Sequence, residues 1–574
     1  MKQLYLGNEA AARGLYEAGV RFISSYPGTP STEITEAAAT YSDMYSEWAP
    51  NEKVALEAAL GASVGGGRSF CGMKHVGLNV AADPLFVTAY TGVGAGFVIG
   101  VADDPGLHSS QNEQDSRHYA VAAKLPMVEP ANSLECRDYM KMAYELSEKF
   151  DTPVIFRLTM RVSHSRSLVE PMDRIEKDVA AYEKDPSKHV MMPAYAKKRH
   201  YVVEDRLAAL ADYAENCPFN TVEDNGTEIG VITAGNCWNY AKEVYGKNAS
   251  YYKLGLLNPL PKQALLDFAA KHPTIIVIEE LDPVIENHCR ALGIEIAAGK
   301  NLLPLCGEYS DELLREKLLG EEAASASLAD PIPNRPPVLC PGCPHRGVFY
   351  TLSKLKLHVS GDIGCYTLGA VAPLSAIDTV YCMGASISAL HGVCKVRGEE
   401  DKWVSVIGDS TFMHSGMTGL VNSVYNGGNT TTLILDNSIT GMTGHQDNPL
   451  TGKTLMGNPA PNLCLEDICA SLGVKRENIR VVDPNDLKSL EAVISEEVSK
   501  PCPSVVICRR PCALLKSVKK NPPIQVQADK CVGCKSCMKI GCPCISVTGK
   551  KARIDETMCV GCGLCSQMCK FGAL

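Results

Sequence analysis

Residues 403–410 read WVSVIGDS, and residues 431–438 read TTLILDNS. Each is a short apolar, β-branched run that stops abruptly in polar residues, the pattern of a strand opening into a loop. Working outward, TVYCMG (379–384) predicts a third strand with a glycine ending. Ligands in open α/β sheets gather beyond the carboxyl ends of strands, so Gly408, Asp409, Ser410 and Asn437 fall where chemistry is expected. The same alternation fills the rest of the chain. RFISSYP (21–27) and FVIGVADD (97–104) read as strands around the helix EKVALEAALGASVGGG (52–67), and EIGVITAG (228–235) and TIIVIEEL (274–281) add two more. The fold class is α/β, built from stacked strand–helix units.

Length and composition bound the function. A chain of 574 residues exceeds one hydrophobic core and predicts about three to four domains. A net charge of −9 argues against nucleic-acid binding, which calls for a basic domain. The opening, MKQLYLGNEAAARGLYEAGV, reads as a short strand and an amphipathic helix rather than a secretory signal. Residues 85–102 carry no charge over a membrane-spanning length, but four glycines there favour a helix end, a turn and an inner strand. No membrane association is expected, and the cytoplasm is the expected location. A connector near Lys184 to His200, a proline-rich joint at 330–345 and the pair Pro522–Pro523 divide the chain into 1–180, 200–322, 331–518 and 522–574.

The last of these segments is rich in thiols. Nine of the 25 cysteines lie between Cys531 and Cys569, too concentrated for a disulfide framework in a chain without a secretory signal. Cys531, Cys534 and Cys537 form C-x2-C-x2-C ahead of Cys542-Pro543, and Cys559, Cys562, Cys565 and Cys569 repeat the arrangement. This resembles a bacterial two-cluster ferredoxin, in which three cysteines of one run and the last of the other hold each four-iron cube. The resemblance implies Cys531, Cys534, Cys537 and Cys569 at one cluster, and Cys542, Cys559, Cys562 and Cys565 at the second. Four residues rather than three precede Cys542, and Lys570 stands where a second proline is usual. A pair of structural zinc sites is the competing reading, but it explains two consecutive triplets poorly. Cys544 reads as a spare thiol. Seven basic against three acidic residues over 521–574 offset clusters that carry about −2 each.

Asp409 and Asn437 end successive strands, and an acid and an amide so placed suit a hard cation held against a diphosphate. The arrangement resembles the thiamine diphosphate motif, usually Gly-Asp-Gly followed by Asn, with Ser410 and Ser438 as departures. That resemblance implies magnesium on Asp409, Asn437 and the carbonyl of Ile439, with Gly384, Ala385 and Ser386 near the diphosphate at a helix start. A strand-to-helix turn capped by Asp is the plainer alternative for GDS. Thiamine also needs a carboxylate against its aminopyrimidine. Glu52, beside Asn51 at the start of an alanine-rich helix, is chosen, although Glu57 competes and either acid suits a first helical turn. In SSYPGTPSTEI (24–34), Thr29 can cap a helix opening at Pro30 and leave N–H groups for a carboxylate. MKHVGLN and HSSQNEQDSRHY place Lys74, His75, Gln111, Glu113 and Arg117 on loops, with His75 a candidate catalytic group.

Together YPGTPSTE, NEKVALEAALGAS, HSSQNEQDSR, CPGCPHRG, GDSTF, DNSITGMTGHQ and the two cysteine runs resemble the large-subunit family of indolepyruvate:ferredoxin oxidoreductases, thiamine diphosphate-dependent 2-oxo acid enzymes. The resemblance implies a pyrimidine domain, a transketolase-C-terminal-like domain, a diphosphate domain and a two-cluster ferredoxin domain, in that order. It implies oxidative decarboxylation of aryl 2-oxo acids with coenzyme A to acyl-CoA and carbon dioxide, with electrons passed singly to ferredoxin. It implies a small (beta) subunit carrying a γ-type oxidoreductase domain, in a heterotetramer of two of each chain. Related enzymes suggest a third cluster on Cys340, Cys343, Cys365 and Cys512, with Cys508 a rival fourth ligand and His345 near the cofactor. Buried inert cysteines are the alternative there. Pyruvate or branched-chain 2-oxo acids are the alternative substrates. An iron–sulfur electron-transfer subunit with vestigial thiamine domains is the alternative of another class.

Overall fold

The computed structural model describes residues 1–322, 332 and 336–574. The expected domain start at 331 and most of the proline-rich joint before 336 lie outside the described residues. The chain divides into two compact units, Met1–Leu328 and Ala329–Leu574.

In the first unit a seven-stranded sheet runs in the order Leu256–Asn258, Met127–Val128, Val154–Thr159, Phe97–Asp103, Ser69–Lys74, Phe22–Ser25, Tyr45–Trp48. All pairings are parallel except the edge strand Leu256–Asn258. That edge strand comes from the segment expected as a separate domain. Its Leu257, and Leu254 just before it, share one hydrophobic core with Leu56, Ile99 and Ile155, so 1–180 and 200–322 build a single compact body. A second sheet, Thr274–Ile278, Ile229–Ala234, Ser250–Leu254 and Thr221–Glu223, completes it. The expected connector is largely helix. Pro193 opens a helix that runs to Ala214, proline being suited to a first helical position. It buries Val203, Arg206, Leu210 and Ala214 at helical spacing. The uncharged stretch at 85–102 resolves into the end of the helix Ala82–Thr91, a turn at Gly92 (φ +67°) and the strand Phe97–Asp103. Among the described residues no helix is long and apolar enough to cross a membrane.

In the second unit five parallel strands follow the order His358–Ser360, Trp403–Gly408, Thr431–Asp436, Ser504–Arg509, Ile479–Val482. The three central strands are buried along almost their whole length, which their apolar, β-branched runs allow. TVYCMG is not a strand. It touches the sheet through one bridge, Thr379 to Ser360, because the Asp378 carboxylate takes the Val359 N–H at 2.7 Å and the chain then turns towards Gly384 (φ +85°). The strand edging the sheet is instead His358–Ser360, too short to stand out in the sequence. The cysteine-rich tail adds an antiparallel hairpin, Ile545–Thr548 with Lys551–Ile554.

Candidate active site and thiolate clusters

The strand Trp403–Gly408 delivers Asp409 to the first position of the following helical turn, with its side chain 2% exposed. Oδ1 accepts the Ser410 N–H at 2.9 Å, while Oδ2 is buried without a partner. Burial, and then the Asp436 carboxylate, push the Asp409 carboxyl up to about 8. A buried acid with a bare oxygen is what a divalent cation would satisfy, and a cation would return the group to its ionised form. Gly408 has no room for a side chain, since a Cβ would lie 2.6 Å from the Tyr366 ring. Asn437 follows the next strand. Its Oδ1 accepts the Ile439 N–H at 3.3 Å, and its Nδ2 lies 3.4 Å from Nε2 of His345. Between them Ser438 adopts φ +60°, a tight turn that sets the Ile439 backbone beside Asn437. His345 is buried and pushed down to about 4 by that burial, so it is neutral at physiological pH.

One expectation changes here. Gly384, Ala385 and Ser386 do open a helix, but their N–H groups are engaged. Gly384 and Ser386 each donate at 2.9 Å to Asp362, and Ala385 donates to the Cys382 carbonyl at 3.1 Å. The buried Asp362 therefore occupies the helix start at which free donors were expected for a diphosphate.

Within the first unit, Glu52 is the first residue of the helix Glu52–Val64 and is buried, while Asn51 Oδ1 caps the helix by accepting the Val54 N–H at 2.9 Å. Gly77 faces it: a Cβ there would lie 2.6 Å from Glu52 Oε1. Glu57 is half-exposed and pairs with Lys53 at 2.6 Å, which separates the two acids that the sequence left in competition. His75 begins the helix His75–Val80 with Nε2 3.2 Å from the Asn112 carbonyl and Nδ1 buried without a partner. Lys74 ends the preceding strand, donates to the Ser109 carbonyl and is brought down to about 8 by burial. A Cβ on Gly28 would sit 3.0 Å from Lys74 Cβ, so the loop carrying Thr29 crosses this lysine. Thr29 is not a helix cap. The helix is Thr32–Ala38 with Ser31 at its N-cap position, two residues later than expected. Arg117 is not on a loop either. It starts the helix Arg117–Ala123 and is locked in buried ion pairs with Asp115 and Glu279, a structural tie.

The thiols fall into three groups. Cys512 donates its N–H to the Asn437 carbonyl at 2.9 Å, and a Cβ on Gly441 would lie 3.6 Å from Cys365 Sγ and 3.7 Å from Asn437 Nδ2. Both cysteines thus border the Asn437 turn. Burial pushes the Cys365 thiol up to about 11, with the neighbouring Cys340 and Cys512 adding to it; Cys343 reaches about 12 by burial, with Cys340 and Cys365 adding. Cys340 thus acts electrostatically on Cys343, Cys365 and Cys512 alike. Cys508 sits inside the strand Ser504–Arg509 in the hydrophobic core, raised by burial alone. In the tail, one cavity is lined by Cys531, Cys534, Cys537 and Cys569, and another by Cys542, Cys544, Cys559, Cys562 and Cys565. Among the described residues no three of these sulfurs lie within 4.8 Å of one another. Backbone N–H groups reach the sulfurs: Ala552 to Cys531 at 3.4 Å and Ala573 to Cys569 at 3.2 Å. Such bonds are a usual means of setting cluster potentials.

Residues 13–216 match the family model described as pyruvate flavodoxin/ferredoxin oxidoreductase, thiamine diP-binding, and residues 362–508 match the thiamine pyrophosphate enzyme C-terminal TPP binding domain. Residues 552–574 match a 4Fe-4S binding domain. The indolepyruvate oxidoreductase subunit IorA of Archaeoglobus fulgidus is 40% identical over 100% of this chain and 97% of its own length. The chain belongs to the IorA family. The IorA of Thermococcus kodakarensis is 39% identical over 99% of this chain and 96% of its own. A solved 2-oxoglutarate:ferredoxin oxidoreductase from Magnetococcus marinus aligns with 56% of this chain and 65% of its own at 18% identity and a TM-score of 0.46. The protein is accordingly a 2-oxo acid oxidoreductase with thiamine diphosphate and four-iron domains. Sequence reasoning missed Gly77 and Asp362.

Proposed function

We propose that this chain is the catalytic subunit of an aryl 2-oxo acid:ferredoxin oxidoreductase acting on indolepyruvate and phenylpyruvate. One 2-oxo acid and one coenzyme A thiol give one acyl-CoA, one carbon dioxide, one proton and two electrons, which leave one at a time through iron–sulfur clusters to ferredoxin. The observation that carries this reading is the buried, partnerless Oδ2 of Asp409, at the end of the strand paired with the one that leads to Asn437, whose turn Cys365 and Cys512 border. In this reading a hard-cation site lies beside a group of thiols.

In this reading Asp409, Asn437 and the Ile439 carbonyl hold Mg²⁺, with Gly408 and Ser410 alongside and Gly384–Ser386 shaping the floor. Thiamine diphosphate, when bound, supplies the carbanion chemistry that releases carbon dioxide. Glu52 accepts and returns a proton at its carboxylate, and the missing side chain of Gly77 leaves the room in which that carboxylate sits. Thr29, His75 and Lys74 bind and orient the oxo acid carboxylate, and neutral His345 holds the Asn437 amide. Three clusters carry the electrons: Cys340, Cys343, Cys365 and Cys512; Cys542, Cys559, Cys562 and Cys565; Cys531, Cys534, Cys537 and Cys569. The proposed assembly is cytoplasmic, with a small subunit bearing the γ-type domain, two of each.

The test is anaerobic. Purified chain with thiamine diphosphate and Mg²⁺ receives indolepyruvate, phenylpyruvate or pyruvate together with coenzyme A, with and without the small subunit, and bleaching of cluster absorbance is followed. Faster bleaching by the aryl acids supports the reading. Preference for pyruvate, or no bleaching by any oxo acid, overturns it.

A further inference from the structure

Arg346 is 2% exposed, and every hydrogen bond it makes goes to a backbone carbonyl. Nη2 donates to Leu339 at 2.5 Å and Cys340 at 3.1 Å; Nη1 donates to Ile540 at 3.1 Å and to Gly541. Nε is buried without a partner, and among the described residues no carboxylate lies within ion-pair distance. The four carbonyls belong to two cysteine loops that lie some 200 positions apart in sequence. Leu339 and Cys340 open the CPGC turn. Ile540 and Gly541 close the four-residue stretch before Cys542, the stretch one residue longer than a bacterial ferredoxin has.

The two loops are also in van der Waals contact. Gly342 (φ +71°) lies so close to Val560 that a Cβ would be 2.3 Å from Val560 Cγ2. Pro341, Gly342 and Arg346 line the cavity that holds Cys542, Cys559, Cys562 and Cys565. A buried guanidinium without an anion is costly, and arginine's planar fork is the side chain suited to bridging two sets of acceptors. Anionic clusters on both sides would supply the missing counter-charge.

We infer that Arg346 is a positioning residue for electron transfer, clamping the Cys340–Cys343 loop to the Cys542 loop and serving as the counter-charge shared by the clusters on either side. The inference rests on the three-cluster reading above. Removing the cation disfavours the reduced, more negative state of the Cys542 cluster. Arg346→Gln is therefore expected to make its reduction about tenfold less favourable, a fall of about 59 mV for one electron. Arg346→Lys keeps the charge but cannot reach both loops, so it should hold the midpoint while weakening the magnetic coupling between the two clusters.

Both variants of the full chain are purified anaerobically, analysed for iron and titrated under EPR. A lowered midpoint in Arg346→Gln at full iron supports the inference; an unchanged midpoint at full iron overturns it. Should Arg346→Gln lose iron, Arg346→Lys decides: full iron, the wild-type midpoint and weakened coupling support the inference, whereas equal iron loss overturns it by showing that charge is irrelevant. The wild-type iron content separates the two readings. About twelve irons per chain sustain the third cluster, and about eight remove it, leaving the midpoint shift of the tail cluster as the remaining test of the counter-charge.

Discussion

Gly77→Ala isolates the proposed proton work of Glu52 without touching its chemistry. A methyl group at Gly77 would lie 2.6 Å from Glu52 Oε1, 2.7 Å from Cγ and 2.9 Å from Cδ, against an ordinary contact of 3.4–4 Å. The far end of a glutamate can retreat, by about 1 Å, and a misplacement of that size costs about 10²-fold in rate, or ~2.7 kcal/mol of barrier. Stability should move the other way or hold, because alanine is favoured over glycine inside a helix by up to about 1 kcal/mol. The assay pairs two readouts: deuterium exchange at C2 of bound thiamine diphosphate with indolepyruvate turnover, and melting temperature with cofactor retention. The expected result is slow exchange and slow turnover in a chain that melts normally and keeps its cofactor. Glu52→Gln should lose at least as much, and Glu57→Gln nothing, since Glu57 is a half-exposed partner of Lys53. Wild-type exchange in Gly77→Ala at an unchanged melting temperature would refute the assignment of Glu52.

Three further outcomes follow from the second unit. In the metal-free chain burial pushes the Asp409 carboxyl up to about 8, so below that pH Mg²⁺ is expected to displace a proton. Apparent Mg²⁺ affinity in the presence of thiamine diphosphate should rise about tenfold per pH unit from 6 to 8 and then level off, and Asp409→Asn should bind weakly with no such slope, as calorimetry would record. Cys512→Ala should lower iron content by about four atoms per chain while Cys508→Ala leaves it unchanged; the opposite result would move the fourth ligand into the strand core. Cys542→Ala should likewise lose about four irons and Cys544→Ala none, although both thiols line one cavity, and equal losses would show that the spare thiol is a ligand.

The parts legible in the sequence share one property: their chemistry is carried by residues close together in the chain. WVSVIGDS announces both a buried strand and the acid at its end, and each cysteine triplet fixes its own spacing. What escaped are contacts whose partners are remote. Gly77 reads as an ordinary helical glycine until the fold brings Glu52, 25 residues earlier, against its missing side chain. Asp362 reads as a loop acid until Gly384 and Ser386 turn their N–H groups onto it. TVYCMG has the apolar content of a strand, but the Asp378–Val359 bond turns the chain before a ladder forms, a tertiary constraint that local propensity does not register. Thr29 follows the same logic, since a proline after a threonine is a fair start signal for a helix, yet Ser31 bonds back to Gly28 and the helix begins at Thr32. Arg346 is the sharpest case. Arginine beside a cysteine motif has many uses, and only the convergence of four carbonyls from two loops, with no acid in reach among the described residues, distinguishes the proposed clamp from a surface charge.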